Sequence, residues 1–166
     1  YVGDVKFSDL KVPFAVVATD LRTGGRVVLD EGRVAKAVSA SACFPGFFSP
    51  VDIDGKHLID GGIAGNVPVD TAKEMGADYV IASDVVPARL RTIPNDPMTM
   101  LGRSLDLILK KLNADEIRRA DAYIELEMEE EMWHLDLNKA KKFIAAGEIS
   151  AHRQINKIRK ALRLRS

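Results

Sequence analysis

The chain has 166 residues, 46% of them hydrophobic and 29% charged, and its 24 Lys and Arg balance 24 Asp and Glu. This composition supplies one packed core and excludes a chain kept disordered by excess charge. A net charge of zero also argues against a nucleic-acid binder, which needs surplus cations to displace counterions from phosphates. The charges are nevertheless segregated, since residues 125–131 contain five Glu whereas residues 153–166 contain six cations and no acid.

Cys43 is the single cysteine, so the fold contains no intrachain disulfide and needs no oxidising compartment. No segment reaches the roughly 18 apolar residues of a membrane span, and the first residues do not form a charged-then-apolar targeting signal. We therefore expect a protein that is cytoplasmic or peripheral at a membrane surface. Because the first residue is Tyr1 and not Met, we also expect the chain to begin inside a longer gene product.

The first part of the chain predicts two hairpins with a helix of small residues between them. Residues 33–42 have small and apolar side chains at helical spacing, and Pro45 and Gly46 end that helix. Asp54-Gly55 is a common hairpin turn pair. The predicted strands are the short apolar or β-branched segments at residues 14–19, 26–29, 47–51 and 57–60.

The remainder of the chain predicts alternating helices and strands. Residues 61–66 are a glycine-rich loop in which positive φ angles and close backbone approach are expected. Pro68 in a first helical turn and Gly76 after the last turn bound a helix. The further expected elements are a strand at 79–86, a surface connection at 87–97, an amphipathic helix at 98–119, a strand at 122–128 and a helix at 137–164 loosened at Gly147. This order predicts an α/β fold with a central, mostly parallel sheet flanked by helices.

Asp60 is the strongest candidate for a chemical role. It ends a predicted strand and precedes Gly61 and Gly62, and α/β sheets present functional groups at the carboxyl ends of their strands. Glycines there leave the carboxylate open to a substrate or a partner residue. The spacing alone is equally consistent with a structural role, in which Asp60 closes a tight turn through an Asx hydrogen bond.

Several linked motifs resemble the later part of bacterial patatin-like phospholipases. In chain order they are Ala-Thr-Asp-Leu-Arg-Thr-Gly at 18–24, Ala-Ser-Ala-Cys-Phe-Pro-Gly-Phe-Phe-Ser-Pro-Val at 40–51, Leu-Ile-Asp-Gly-Gly at 58–62, Asn-Val-Pro-Val at 66–69 and Gly-Ala-Asp at 76–78. The resemblance is close from residue 14 to residue 86 and loose as far as residue 148. It divides the chain into residues 1–86, the C-terminal part of a patatin-like catalytic domain, and residues 87–166, a mostly helical extension packing on it.

The resemblance implies a layered patatin-like fold, of which this chain is a partial domain, and a serine acyl hydrolase that acts on lipid or acyl ester substrates. Asp60 matches the aspartate of the family's Ser–Asp dyad, and Gly61 and Gly62 complete its Asp-Gly-Gly motif. The implied role of Asp60 is that of a general base, which takes the serine proton as the serine oxygen attacks an ester carbonyl. The implied chemistry needs no cofactor and no metal.

The family's nucleophile lies in a Gly-x-Ser-x-Gly turn, which this chain lacks. Its eight serines all lack the flanking glycine pair, and the glycine-rich oxyanion loop of the family is missing as well. Both would belong before Tyr1, so we expect this chain alone to be inactive. The alternative is a non-catalytic interaction or regulatory protein that keeps the fold without the nucleophile.

Other candidates have simpler structural interpretations. Ser41 is expected to be a packed helix residue, and Cys43 a buried small side chain with no activating neighbour in sequence. The histidines His57, His134 and His152 have no metal-ligand spacing. Residues 61–65 resemble a phosphate loop only superficially, because a carboxylate at position 60 would repel phosphate.

The basic end of the chain has two interpretations. Ile155, Ile158 and Leu162 share one helical face with cations around them, which suits peripheral contact with an anionic membrane. The same pattern also suits a helix that packs its narrow apolar stripe on the domain, and we favour this second interpretation.

Overall fold

The computed structural model describes residues 3–86, 95–127 and 140–163. The chain divides into two compact units, Tyr1–Thr71 and Ala72–Ser166. The division at residues 86 and 87 inferred from the family resemblance stays a prediction. Most of the predicted surface connection, the end of the acidic run and both ends of the predicted last helix lie outside the described residues.

The first unit contains a four-stranded sheet built from the two predicted hairpins. Thr19 and Asp20 of the first hairpin lie opposite Ile59 and Leu58 of the second, which joins the hairpins into the strand order β2-β1-β4-β3. All three pairings are antiparallel. The strands are β1 (Val16–Asp20), β2 (Arg26–Leu29), β3 (Val51–Ile53) and β4 (Lys56–Ile59).

The turns and the first helix form where the sequence predicts them. Asp54 and Gly55, with φ angles of 50° and 76°, close the second hairpin in the left-handed region that such two-residue turns require. Helix α1 (Val34–Ser41) packs on the sheet through small side chains. One buried cluster joins Ala18, Ala40 and Leu58, each 0% exposed, and the small side chains of Ala18 and Ala40 let the helix approach the strands closely.

Two short helices follow β4. Helix α2 (Gly62–Gly65) occupies the segment predicted as an irregular loop, so that prediction is wrong for these four residues. Helix α3 (Val69–Glu74) lies where Pro68 and Gly76 predict a helix, and Gly76 ends it with a φ of 93°.

The second unit pairs β5 (Ile81–Asp84) with β6 (Ala122–Glu125) in parallel. Helices α4 (Pro97–Leu112) and α5 (Ala114–Ile117) lie between these strands in the chain. Asp96 caps α4 by accepting a 2.9 Å hydrogen bond from the Thr99 N–H, and Pro97 needs no partner in the first turn. Helix α6 (Ala140–Ala161) packs on β6 and continues through Gly147, contrary to the predicted loosening.

The predicted α/β class is confirmed, because sheets in the structure are flanked by helices. The predicted mostly parallel central sheet is not what the described strands form, since only β5 and β6 pair in parallel. The physical reason is the length of the connections. Short turns join β1 to β2 and β3 to β4, whereas a parallel pair needs a crossover of a dozen or more residues, such as the one through α4.

Candidate functional site

Asp60 lies directly after β4 and is fixed to the end of α1 by its main chain. The Asp60 N–H donates to the Cys43 carbonyl at 3.0 Å, and the Gly61 N–H donates to the Ser41 carbonyl at 3.3 Å. These bonds satisfy carbonyls near the C-terminal end of α1, where no further helical turn is present to do so. The position of Asp60 is therefore set by both the sheet and the helix.

The Asp60 carboxyl group is oriented by the turn that follows it. The Gly62 N–H donates to Asp60 Oδ1 at 2.7 Å, a short distance that is typical of a charge-assisted hydrogen bond. This is the Asx-type hydrogen bond of the structural interpretation, and it coexists with partial exposure of Asp60. Because the hydrogen bond engages Oδ1 and the residue stays partly exposed, Asp60 can close the turn and also have a chemical role.

Gly61 and Gly62 are required for space and not for unusual dihedral angles. Gly61 has a right-handed φ of −68°, which corrects the expectation of a positive φ. A Cβ atom on Gly61 would lie 2.0 Å from the Val17 carbonyl oxygen, and one on Gly62 would lie 2.9 Å from Asp60 Oδ1. The predicted close backbone approach is thus present, and it is made to β1 and to Asp60 itself.

A cavity of about 440 Å³ opens beside Asp60. Its size is within the range of small-molecule sites, and its lining is mostly apolar with a few polar groups. The lining includes Phe14, Val38, Ser41, Asp60, Asn66 and Pro68. A carboxylate at the wall of such a cavity can bind or deprotonate the polar end of a largely apolar ligand.

Of the other Ser, Cys and His side chains considered from the sequence, only Ser41 lies at the Asp60 cavity among the described residues. Ser41 lines the same cavity as Asp60, from the last turn of α1. Cys43 is buried and its Sγ lies 3.0 Å from the Ser39 carbonyl oxygen, as expected for a packed side chain. His57 pairs with Asp52 on the exposed face of the β3–β4 hairpin. His152 is exposed near Glu148, and His134 lies outside the described residues.

Across residues 3–86, 95–127 and 140–163, no three His, Cys, Asp or Glu side chains are grouped so that they could hold a metal ion. None of the helices within these ranges combines the length and the apolar character of a membrane span.

Thr19 and Arg26 contact the Asp60 turn, and neither is among the site residues predicted from the sequence. The Thr19 hydroxyl donates to the Asp60 carbonyl at 2.7 Å, and the Arg26 guanidinium donates to the Ala64 carbonyl at 3.1 Å. Thr19 is only 1% exposed. The predicted first hairpin could have indicated them. Thr19 belongs to the motif at 18–24, and the hairpin register places it directly opposite Arg26.

A second cluster of polar side chains lies at the carboxyl ends of β5 and β6. Asp84 is 1% exposed, and its Oδ2 accepts from the Tyr123 hydroxyl at 2.8 Å and lies 3.1 Å from Lys110 Nζ. Lys110 Nζ also donates to Glu125 Oε1 at 2.6 Å and to the Val86 carbonyl at 2.9 Å. Lys110 thus combines two hydrogen bonds with an ion pair to Asp84, so the cluster joins α4 to the strand pair.

The same cluster changes the acidity of Tyr123. Burial raises the pKa of the Tyr123 phenol far above its ordinary value, and the hydrogen bond to the Asp84 carboxylate adds to the effect. Tyr123 therefore stays a neutral hydrogen-bond donor throughout the physiological pH range. This fits a structural donor and does not fit a group that exchanges protons with a substrate.

The fold and the cavity together define the class of protein, an α/β protein with a candidate ligand site at the end of a strand. The helix-flanked sheet presents an oriented carboxyl group there, next to a mostly apolar cavity. Comparison with known proteins then identifies the family of this part of the chain. Residues 1–73 match the family described as patatin-like phospholipase.

Individual relatives agree with this match. The chain is 38% identical over 93 residues to an uncharacterized NTE family protein of Mycobacterium tuberculosis, covering 53% of this chain and 26% of that protein. It is 34% identical over 125 residues to patatin-like phospholipase domain-containing protein 6 of Homo sapiens, covering 71% of this chain and 9% of that protein. It is 37% identical over 84 residues to patatin-like phospholipase domain-containing protein 7 of Rattus norvegicus, covering 49% of this chain and 6% of that protein.

These matches confirm a patatin-like phospholipase domain at residues 1–73. The chain spans about a quarter or less of the length of the relatives described above.

Proposed function

We propose that this chain is part of a lipid acyl hydrolase in which Asp60 is the general base. The observation that carries the proposal is the oriented Asp60 carboxyl group at the wall of the apolar cavity. In the proposed reaction, Asp60 removes the proton from a serine hydroxyl while the serine oxygen attacks the carbonyl carbon of an acyl ester. Asp60 then returns the proton to the leaving alcohol, and water releases the acyl group from the serine in a second, equivalent step.

The surroundings of Asp60 suit this role. A carboxylate is a weak base for a hydroxyl, so the reaction depends on a site that excludes bulk water and holds the reacting groups in place. Phe14, Val38 and Pro68 give the cavity an apolar wall that can accept part of an acyl chain. The Gly62 N–H holds Asp60 Oδ1, which reduces the freedom of the carboxyl group to rotate.

Residues 1–166 contain no Gly-x-Ser-x-Gly sequence that could carry the serine nucleophile of the proposed dyad. We propose that it is supplied by a segment outside this sequence and reaches Asp60 across the cavity. On this proposal residues 1–166 alone have no hydrolase activity. The human and rat relatives are named as phospholipase domain-containing proteins, and a phospholipid or related acyl ester is accordingly the proposed substrate class.

The test replaces Asp60 in the complete gene product that contains this chain. Asp60→Asn keeps the shape of the side chain and cannot accept the proton, so we expect hydrolysis of a short acyl ester to fall by at least about 10²-fold. Asp54→Asn is the matched control, because Asp54 is exposed in the β3–β4 turn and Asn tolerates its positive φ.

The outcomes separate the two candidate functions. Near-normal turnover by the Asp60→Asn variant would refute the role of Asp60. A complete gene product that contains no Gly-x-Ser-x-Gly turn and hydrolyses no acyl ester would favour the alternative, a non-catalytic interaction or regulatory protein with the same fold.

Helix α6 packs on β6 and buries Ile158, as the favoured packing interpretation predicts. We further propose that the exposed side of the same helix gives the protein peripheral contact with anionic membranes. Residues 141–163 contain seven Lys or Arg and a single acid, Glu148. Ile144 and Ile149 on this helix are 70% and 55% exposed, so apolar and cationic side chains are presented together. Ile158 is buried and Arg153 pairs with Glu127, so we assign the proposed headgroup contacts to Lys157, Arg159 and Lys160, which lie nearer the end of the helix.

A further inference from the structure

The pairing of β1 and β2 places two polar side chains next to the Asp60 turn. Thr19 and Arg26 are directly opposite each other in the antiparallel register. Side chains of directly opposite residues lie on the same face of a sheet, within reach of the same neighbours. Here the shared neighbour is the turn from Asp60 to Gly65. Its first and last residues follow Thr19 by 41 and 46 positions along the chain.

The Thr19 hydroxyl bridges the turn. It donates to the Asp60 carbonyl at 2.7 Å and accepts from the Ala64 N–H at 3.2 Å. One buried hydroxyl group thus uses its donor and an acceptor position to connect the first residue of the turn to its fourth successor. Because Thr19 is 1% exposed, water cannot replace these bonds without opening the structure.

Arg26 holds the far end of the same turn. Its Nη2 donates to the Ala64 carbonyl at 3.1 Å, and its Nη1 lies 3.4 Å from Oγ1 of Thr71, a buried residue of α3. A Cβ atom at Gly65 would lie 2.3 Å from Nη2, so glycine makes room for the guanidinium group. The guanidinium therefore connects α2 to α3 while Thr19 connects α2 to Asp60.

We propose that Thr19 is a positioning residue for Asp60, assisted by Arg26. The inference rests on the proposed function and extends it to residues that touch neither the serine nor the substrate. Thr19 fixes the main chain of Asp60, and the Gly62 N–H fixes its carboxyl group, so the direction of the carboxylate depends on a turn that Thr19 holds closed. A displacement of about 1 Å in such a group can reduce a rate about 10²-fold.

The test compares an isosteric variant with a conservative one. Thr19→Val keeps the shape and removes both hydrogen bonds, whereas Thr19→Ser keeps the hydroxyl group. In residues 1–166, we expect amide hydrogen exchange at Gly62 and Ala64, measured by NMR, to be faster in Thr19→Val and close to wild type in Thr19→Ser. In the complete gene product, we expect Thr19→Val to lower kcat about 10²-fold with KM changed by no more than about twofold, and Thr19→Ser to restore most of kcat.

Each result decides one of the claims. Unchanged exchange at Gly62 and Ala64 in a folded Thr19→Val protein overturns the positioning of the turn, whatever the activity. Faster exchange with unchanged kcat shows that the turn does not control catalysis and overturns the positioning role. If Thr19→Val does not fold, Thr19→Ala takes its place, since it also removes the hydroxyl group and both of its hydrogen bonds, and the same readouts apply. An inactive wild-type gene product overturns the proposed function, and the exchange measurement still decides whether Thr19 holds the turn.

Discussion

Lys110 neutralises a buried carboxylate in the second unit, and its replacement by Met measures how much this contact stabilises the protein. Lys110 Nζ lies 3.1 Å from Oδ2 of Asp84, which is 1% exposed. Met is similar in length and keeps the apolar stem of the side chain, so the change removes the charge and the hydrogen bonds with little loss of packing. The free energy of unfolding should therefore report on the ion pair.

The expected loss of stability in Lys110→Met depends on the hydrogen bonds that Asp84 retains. Removing one partner of a buried ion pair costs about 3–5 kcal/mol, because an uncompensated charge is left behind. Asp84 keeps hydrogen bonds from the Tyr123 hydroxyl and the Val86 N–H, and Glu125 is partly exposed and can turn to water. We therefore expect the lower end of that range, about 3 kcal/mol.

Urea denaturation followed by circular dichroism measures this difference. Lys111→Met is the matched control, because Lys111 is the next residue of α4 and is exposed, and we expect it to change stability by less than about 0.5 kcal/mol. Adding Asp84→Asn to Lys110→Met removes the uncompensated charge and should recover part of the loss. If Lys110→Met lowers stability no more than Lys111→Met does, the account of the Asp84 cluster is wrong.

Two further predictions concern helices α4 and α6. Gly102→Ala in α4 should raise the free energy of unfolding by about 0.5–1 kcal/mol, since a Cβ atom there meets nothing within 4 Å and alanine is the better helix former. A lower free energy of unfolding, measured by urea denaturation, would contradict this. Gly61→Ala is the opposing case, because its Cβ atom would clash with Val17 and should destabilise the protein. Replacing Lys157, Arg159 and Lys160 together by Gln should weaken binding to vesicles that contain phosphatidylserine by about 1 kcal/mol per cation. Co-sedimentation measures this with neutral vesicles as the control, and unchanged pelleting would count against membrane contact through α6.

Local structure was predictable from short stretches of sequence wherever the cause is itself local. Asp54-Gly55 specifies a tight hairpin turn because glycine and aspartate tolerate positive φ, and the structure has both residues in that region. Pro68 and Gly76 bound α3 for equally local reasons. The position of Asp60 at a strand end followed from the same pattern, as did its glycine neighbours.

Some local expectations failed because the glycines there serve packing and not dihedral freedom. Gly61 and Gly62 suggested an irregular loop, yet α2 begins at Gly62 with Gly61 in the right-handed region. Gly61 is needed because the main chain passes against the Val17 carbonyl. No pattern near residue 61 reports that β1 lies there, because the contact joins segments more than forty positions apart.

The α/β class, the hairpins and the candidate base Asp60 were predictable from the sequence, since these depend on residue order, turn chemistry and recurring motifs. Three features required the folded structure: the antiparallel order β2-β1-β4-β3, the contacts of Thr19 and Arg26 with the Asp60 turn, and the pairing of Asp84 with Lys110. Each of these joins residues that are distant in the chain. Strand register and helix packing set such contacts, and a buried hydroxyl or charge reveals its partner only when the surrounding surfaces have come together.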